Sequence, residues 1–208
     1  MSVMNQLASA LNRRDEVPNQ ELAAKIVSGK DQKAVKELVE GLRSKSKDIQ
    51  NDCIKVLYEI GAAEPKIIAA YAPVFLDLLK HKNNRLQWGA MAALDSIVFE
   101  NPSLIYESAP EILDAVSKGS VITMDGAVNT FIKLCGLPEY AENAFVILLE
   151  LIQKSPTNQL PMYAERAMPV ITGENKSRFI DVLSKCLHEI EKESKRKRVE
   201  KVISKIKK

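Results

Sequence analysis

Proline falls on a fixed beat in this chain. Pro65, Pro102 and Pro138 each open an apolar stretch, at spacings of 37 and 36, and Pro73 and Pro110 recur inside those stretches, again 37 apart. Each stretch leads into a second apolar-periodic segment with its own matching positions. A repeat of this length, built from two helices, cannot bury its apolar faces alone. It needs a neighbour of the same kind, so the beat predicts an all-α stack of helical pairs.

The second helices show the register best. Cys53, Ala90, Ala127 and Ala164 are 37 apart, as are Leu57, Leu94, Phe131 and Met168, and Ile60, Ile97, Leu134 and Ile171. Within a unit these positions fall at i, i+4 and i+7, one stripe of an α-helix. Gly61, Gly136 and Gly173 stand where these helices should close, in the left-handed conformation that glycine accepts. The first helices repeat Ile68, Phe75, Leu76 and Leu79 as Ile105, Ile112, Leu113 and Val116, and then as Phe145, Leu148, Leu149 and Ile152. Pro65, Pro102 and Pro138 suit a first helical turn, whereas Pro73 and Pro110 lie deeper and predict a kink. The expected helices are about 3–12, 19–28, 32–43, 48–60, 65–80, 84–99, 102–117, 121–135, 138–154, 158–171 and 176–191 or beyond. The β-branched run Val121-Ile122-Thr123 falls at a helix start in this register, so no strand is expected there.

At this point the chain resembles the HEAT-repeat family. The segment Tyr71-Ala72-Pro73-Val74-Phe75-Leu76-Asp77-Leu78-Leu79-Lys80 looks like a HEAT first helix with its proline, and Arg85-Leu86-Gln87-Trp88-Gly89-Ala90-Met91-Ala92-Ala93-Leu94 like a HEAT second helix. Asn83, Asn84 and Gln87 stand near the places where that family carries its inter-repeat Asp and Arg. The resemblance covers about residues 31–173 and implies a right-handed α-α superhelix, an α-solenoid. Residues 1–191 are then one repeat domain with capping helices at both ends. Residues 192–208 follow as a basic amphipathic tail.

Charge separates those two parts. The chain's net charge of +3 hides nine Lys/Arg and two Glu in residues 192–208, a local +7, so residues 1–191 carry −4. The tail's Val199, Val202, Ile203 and Ile206 form an apolar stripe able to cap the end of a stack. Its Lys195, Arg196, Lys197 and Arg198 are candidate contacts to phosphate or an acidic partner. The opening 1–16 holds charges and no apolar run of signal-peptide kind, and no stretch is long enough to cross a bilayer. A cytoplasmic protein without membrane contact is expected. The three cysteines, Cys53, Cys135 and Cys186, are scattered and lack a CxxC pair, which argues against disulfides and zinc.

No catalytic constellation stands out. His81 and His188 have no metal-ligating partner at motif spacing, and there is no phosphate-binding glycine loop or nucleophile elbow. No cofactor is expected. Alkylpurine DNA glycosylases and bilin lyases resemble this chain in fold class, but no positions here match their functional residues. The expected role is a non-catalytic scaffold that binds a protein or peptide on the surface lined by the second helices. Lys55, Arg85, Trp88, Asn129 and Arg166 are the candidate binding residues there, with Trp88, the sole tryptophan, as an aromatic anchor. Nucleic-acid binding through the basic tail is the alternative.

Overall fold

The computed structural model describes residues 2–208, and among these there is no β-strand. The helices are α1 (Val17–Gly29), α2 (Gln32–Gly41), α3 (Lys47–Ala63), α4 (Ala72–Leu78), α5 (Asn84–Ser96), α6 (Pro102–Glu107), α7 (Ala109–Lys118), α8 (Val121–Cys135), α9 (Ala141–Gln153), α10 (Leu160–Ala167), α11 (Lys176–Cys186) and α12 (Glu193–Lys207). Two compact units divide them, Met1–Gly126 and Ala127–Lys208. In the first, α3 packs against α1, α2 and α5, and α4 lies on α5. In the second, α9 packs with α10 and α11, and α12 packs on α10 and α11.

The 37-residue rows are the core. Cys53, Ala90, Ala127 and Ala164 are fully buried, as are Leu57, Leu94, Phe131, Ile60, Ile97 and Leu134. The rows loosen only in their last copy, where Met168 and Ile171 are half-buried. Pro169 accounts for this. It lacks the N–H that would continue α10, so the expected helix 158–171 stops at Ala167 and passes into a 3-10 turn.

Further periodic features concern polar atoms and glycine. Ser46, Asn83 and Ser120, each 37 apart, accept a backbone N–H at the starts of α3, α5 and α8, from Ile49 at 3.5 Å, Arg85 at 3.0 Å and Thr123 at 3.4 Å. These side chains satisfy donors that a helix start leaves open. Gln50 and Gln87, again 37 apart, donate to the carbonyls of Ser44 and Leu79 at 2.8 and 2.9 Å, closing the turn before each second helix. Neighbouring second helices also touch through a repeated glycine. A Cβ on Gly89 would lie 2.6 Å from Ile54 Cγ1, and one on Gly126 would lie 2.7 Å from Met91 Cγ. Both members of this contact advance by 37.

The first helices depart from expectation. Segments 65–80 and 102–117 are broken rather than kinked. Pro73 and Pro110 sit in the opening turns of new helices, α4 and α7, and shorter helical pieces precede them. Without the Pro73 N–H, the carbonyl of Ala69 four residues earlier lacks its α-helical partner. Asn101 donates Nδ2 to it at 2.8 Å. The third copy has Val146 in the proline's place, and there α9 runs unbroken.

Two other expectations change. No glycine takes a positive φ; Lys30, at φ 48°, closes α1, and Gly61 lies inside α3. The opening segment forms only a short 3-10 turn at Val3–Gln6 in place of a helix over 3–12. Side chains claim its backbone donors: Asn19 Oδ1 accepts from Ala8 N at 3.0 Å, and Asp52 Oδ2 from Ser9 N at 2.8 Å. Asn12 at φ 55° then turns the chain away.

Gly89→Ala is expected to destabilise the protein by about 1–3 kcal/mol, because Ile54 must shift to admit the methyl group. Asn101→Ala should cost about 1 kcal/mol by removing the side-chain donor to Ala69, whose carbonyl keeps the N–H of Ala72. Urea unfolding curves against wild type check both.

Candidate functional site

Three of the expected binding residues meet in the first unit. Lys55 is on α3, and Arg85 and Trp88 are one turn apart on α5. The Trp88 ring lies 5.6 Å from that of Tyr58 on α3, tilted by 47°. Arg85 lies over the same ring, with Cζ 5.2 Å from the ring centroid. Such aromatic and cation–π contacts add to simple burial and fix ring orientation. Trp88 is therefore a half-buried, braced ring rather than a free-standing anchor.

Lys55 is not on an open surface as expected. Its side chain is 6% exposed, and its Nζ lies 2.7 Å from Glu16 Oε2 and 2.6 Å from Glu59 Oε1. It also sits 4.8 Å from the Tyr58 ring centroid. A buried ammonium needs such partners. Burial alone would push its pKa down, but the bonds to Glu16 and Glu59 outweigh it and hold the ammonium above the ordinary lysine range.

Glu16 joins the cluster from the residue preceding α1. Its Oε1 accepts from Arg85 Nη2 while Oε2 takes Lys55. The hydrogen bond from Lys55 is the largest influence holding this carboxyl below its ordinary value of 4.5, with Arg85 acting in the same sense. An open cleft of about 680 Å³ lies beside it, lined by Arg13, Arg14, Asp15, Glu16, Asp52 and Arg85 among others. The arrangement is two carboxylates, two cations and an aromatic pair. It is suited to holding a charged or flat group.

Asn129 and Arg166 belong to the second unit, where Arg166 Nη1 donates to Asn129 Oδ1 at 3.3 Å. They are joined to each other across one repeat length.

The residues 192–208, read from sequence as a tail, fold as α12 with Val199, Val202 and Ile203 buried. The four basic residues singled out there have partners within the chain. Lys195 donates to Asn158 O and Oδ1, Arg196 to Ile190 O, and Arg198 grips Glu165 with two bonds of 2.9 and 2.6 Å. Lys197 pairs with Glu193 at 2.7 Å.

Tyr58 and Glu59 were legible at i+3 and i+4 from Lys55 on one helix. Glu16 carries no such signal, being 39 residues from Lys55 and 69 from Arg85. His81 serves a turn, accepting from Asn83 N at 3.0 Å. Among the described residues no group of three or more His, Cys, Asp or Glu could hold a metal ion, and no helix is long and apolar enough to cross a membrane. Burial pushes the Cys53 and Cys135 thiols up to about 12, away from thiolate reactivity.

No protein-family model matches this sequence, and no curated protein matches it. The fold is similar to crystal structures of two engineered proteins from the Northeast Structural Genomics Consortium. One is 20% identical with a TM-score of 0.63 over 100% of this chain and 97% of that one. The other is 19% identical with a TM-score of 0.64 over 100% and 99%. At that identity the likeness concerns the helical fold alone.

Glu16 gives the site a pH dependence. Its folded pKa is depressed, so its contribution is complete above about pH 4.5 and fades as pH falls through the lowered value. Because the carboxylate is partly exposed, the effect is small. Glu16→Gln should lower the melting temperature slightly near neutrality, with the gap to wild type closing in acid. Thermal melts across a pH series check this.

Proposed function

We propose that the chain is a HEAT-like, right-handed α-solenoid acting as a non-catalytic scaffold that binds a protein or peptide. The architecture is supported by what recurs at 37 residues: buried rows, second-helix caps, and the glycine contacts of Gly89 with Ile54 and Gly126 with Met91. Stacked repeats present preformed surfaces, and a preformed surface loses little entropy on association.

The observation that carries the binding reading is the braced ring of Trp88. It is in contact with Tyr58 on α3 and Arg85 on α5, so a partner meets an aromatic ring already in position. Tryptophan and arginine are the side chains most enriched at binding hot spots. Peptides selected from a display library on the immobilised protein should lose at least about tenfold in affinity to Trp88→Ala, or roughly 1.4 kcal/mol. Met162→Ala, on the second unit, should bind them as wild type does. Circular dichroism melts separate loss of binding from loss of folding.

The exposed Lys192, Lys201, Lys205, Lys207 and Lys208 of α12 favour a competing reading, phosphate contact. Lys195, Arg196 and Arg198 weigh against it because their donors are engaged within the chain. Double-stranded DNA titrated over a salt series should show no steep loss of affinity with salt, the signature of released counterions.

A further inference from the structure

We propose that the face formed by Lys55, Arg85 and Trp88 is the seat for a carboxylate-bearing segment of the partner protein, and that Glu16 occupies this seat in the free chain. The inference rests on the binding reading above and gives the partner its chemistry.

Glu16 has the marks of an occupant that can be exchanged. Its side chain is 43% exposed, although both carboxylate oxygens are engaged. It stands at the start of α1, where its carbonyl accepts from Gln20 N but its side chain makes no capping bond. The chain before it, residues 10–15, is exposed. That strap is pinned at Ser9, whose N–H donates to Asp52, and within itself, Arg13 pairing with Asp15 at 2.7 Å. Releasing Glu16 would leave Lys55 compensated, because Glu59 still holds its ammonium at 2.6 Å.

Arg85 supplies the second observation. Its Nε is buried and has no hydrogen-bond partner, while Nη2 alone reaches Glu16. Glu16 divides its oxygens between Lys55 and Arg85, so it cannot form the two-pronged pair that guanidinium and carboxylate favour. The same chain forms that pair elsewhere: Arg178 grips Glu142 at 2.6 and 2.7 Å, and Arg198 grips Glu165. With Glu16 displaced, Nε and Nη2 together offer an incoming carboxylate the two-pronged pair, and the exposed part of Trp88 receives the apolar atoms beside it. Once Glu16 leaves, Arg85 is the seat's uncompensated cation, and its charge fits one incoming carboxylate; the neighbouring cleft, where Asp15, Asp48 and Asp52 stand beside Arg13 and Arg14, adds no net positive charge.

The probe is a hexaglutamate peptide, acetylated and amidated, with hexaglutamine as control and a short single-stranded oligonucleotide as the other anion. Affinity is measured by isothermal titration calorimetry on the full chain. Emission from Trp88, the sole tryptophan, reports whether the seat itself is filled. Removing the tethered competitor should tighten hexaglutamate binding about tenfold in Glu16→Ala, because the open seat is no longer a minor state. Glu16→Gln should behave alike, and thermal melts confirm that both fold. Adding Arg85→Ala to Glu16→Ala should abolish the gain. The proposal is overturned if neither Glu16 variant binds hexaglutamate more tightly than wild type. Equal binding of hexaglutamine, binding that leaves Trp88 emission unchanged, or stronger binding of the oligonucleotide also overturns it. Selected peptides that need Trp88 but are indifferent to Glu16 would remove this inference and leave the scaffold reading standing. Peptides indifferent to Trp88 would remove the scaffold reading itself.

Discussion

Close approach between neighbouring second helices sets the rest of this structure. Gly89 has no side chain where α5 meets Ile54 of α3, and Gly126 repeats the arrangement against Met91. Interiors pack at near-crystalline density, so the missing methyl fixes how near the helices lie. That spacing determines what residues one turn away can do. Arg85 and Trp88 lie within a turn of Gly89, and Lys55 and Tyr58 within about a turn of Ile54. Their side chains meet as an aromatic pair flanked by cations because the backbones beneath them are close.

Much of this was legible in the sequence because burial follows helical period. The rows through Cys53, Leu57 and Ile60 were readable from apolar spacing, and α8 begins and ends where the register placed it. The first helices were less legible because proline has two outcomes inside a helical pattern. It can bend a helix that neighbours hold together, or it can start a new one. Here Asn101 takes the carbonyl that Pro73 leaves without its helical partner, and the chain restarts at α4. That partner is 28 residues from the proline, beyond any local pattern. The glycines misled for a related reason. Gly61 was read as a helix stop, but its role is steric: a Cβ there would come within 2.6 Å of Ile68 Cδ1.

Charges were the least legible feature, since a sequence shows which ions exist but not how they pair. The basic run of residues 192–208 looked available for contact. In the fold, the cations of α12 bond back to the chain, Arg198 to Glu165 and Lys195 to Asn158, beside the face that buries Val199, Val202 and Ile203. The Lys55 ammonium shows the same logic more strongly. Its position on the inner side of α3 is tolerable only because Glu59, one turn on, and the distant Glu16 both reach it.

Glu16 bears on selectivity as well as stability. A carboxylate tethered by a short strap acts at an effective concentration on the order of millimolar. A free monocarboxylate offers only the same ionic contact and competes poorly with a tethered one. A partner segment succeeds by adding what Glu16 lacks: a second bond to Arg85 Nε, apolar contact with Trp88, or both. The internal carboxylate would then act as a threshold, passing over small anions and admitting a ligand that fits the whole cluster. Specificity is a difference between affinities, and an intramolecular competitor supplies part of that difference without further contacts.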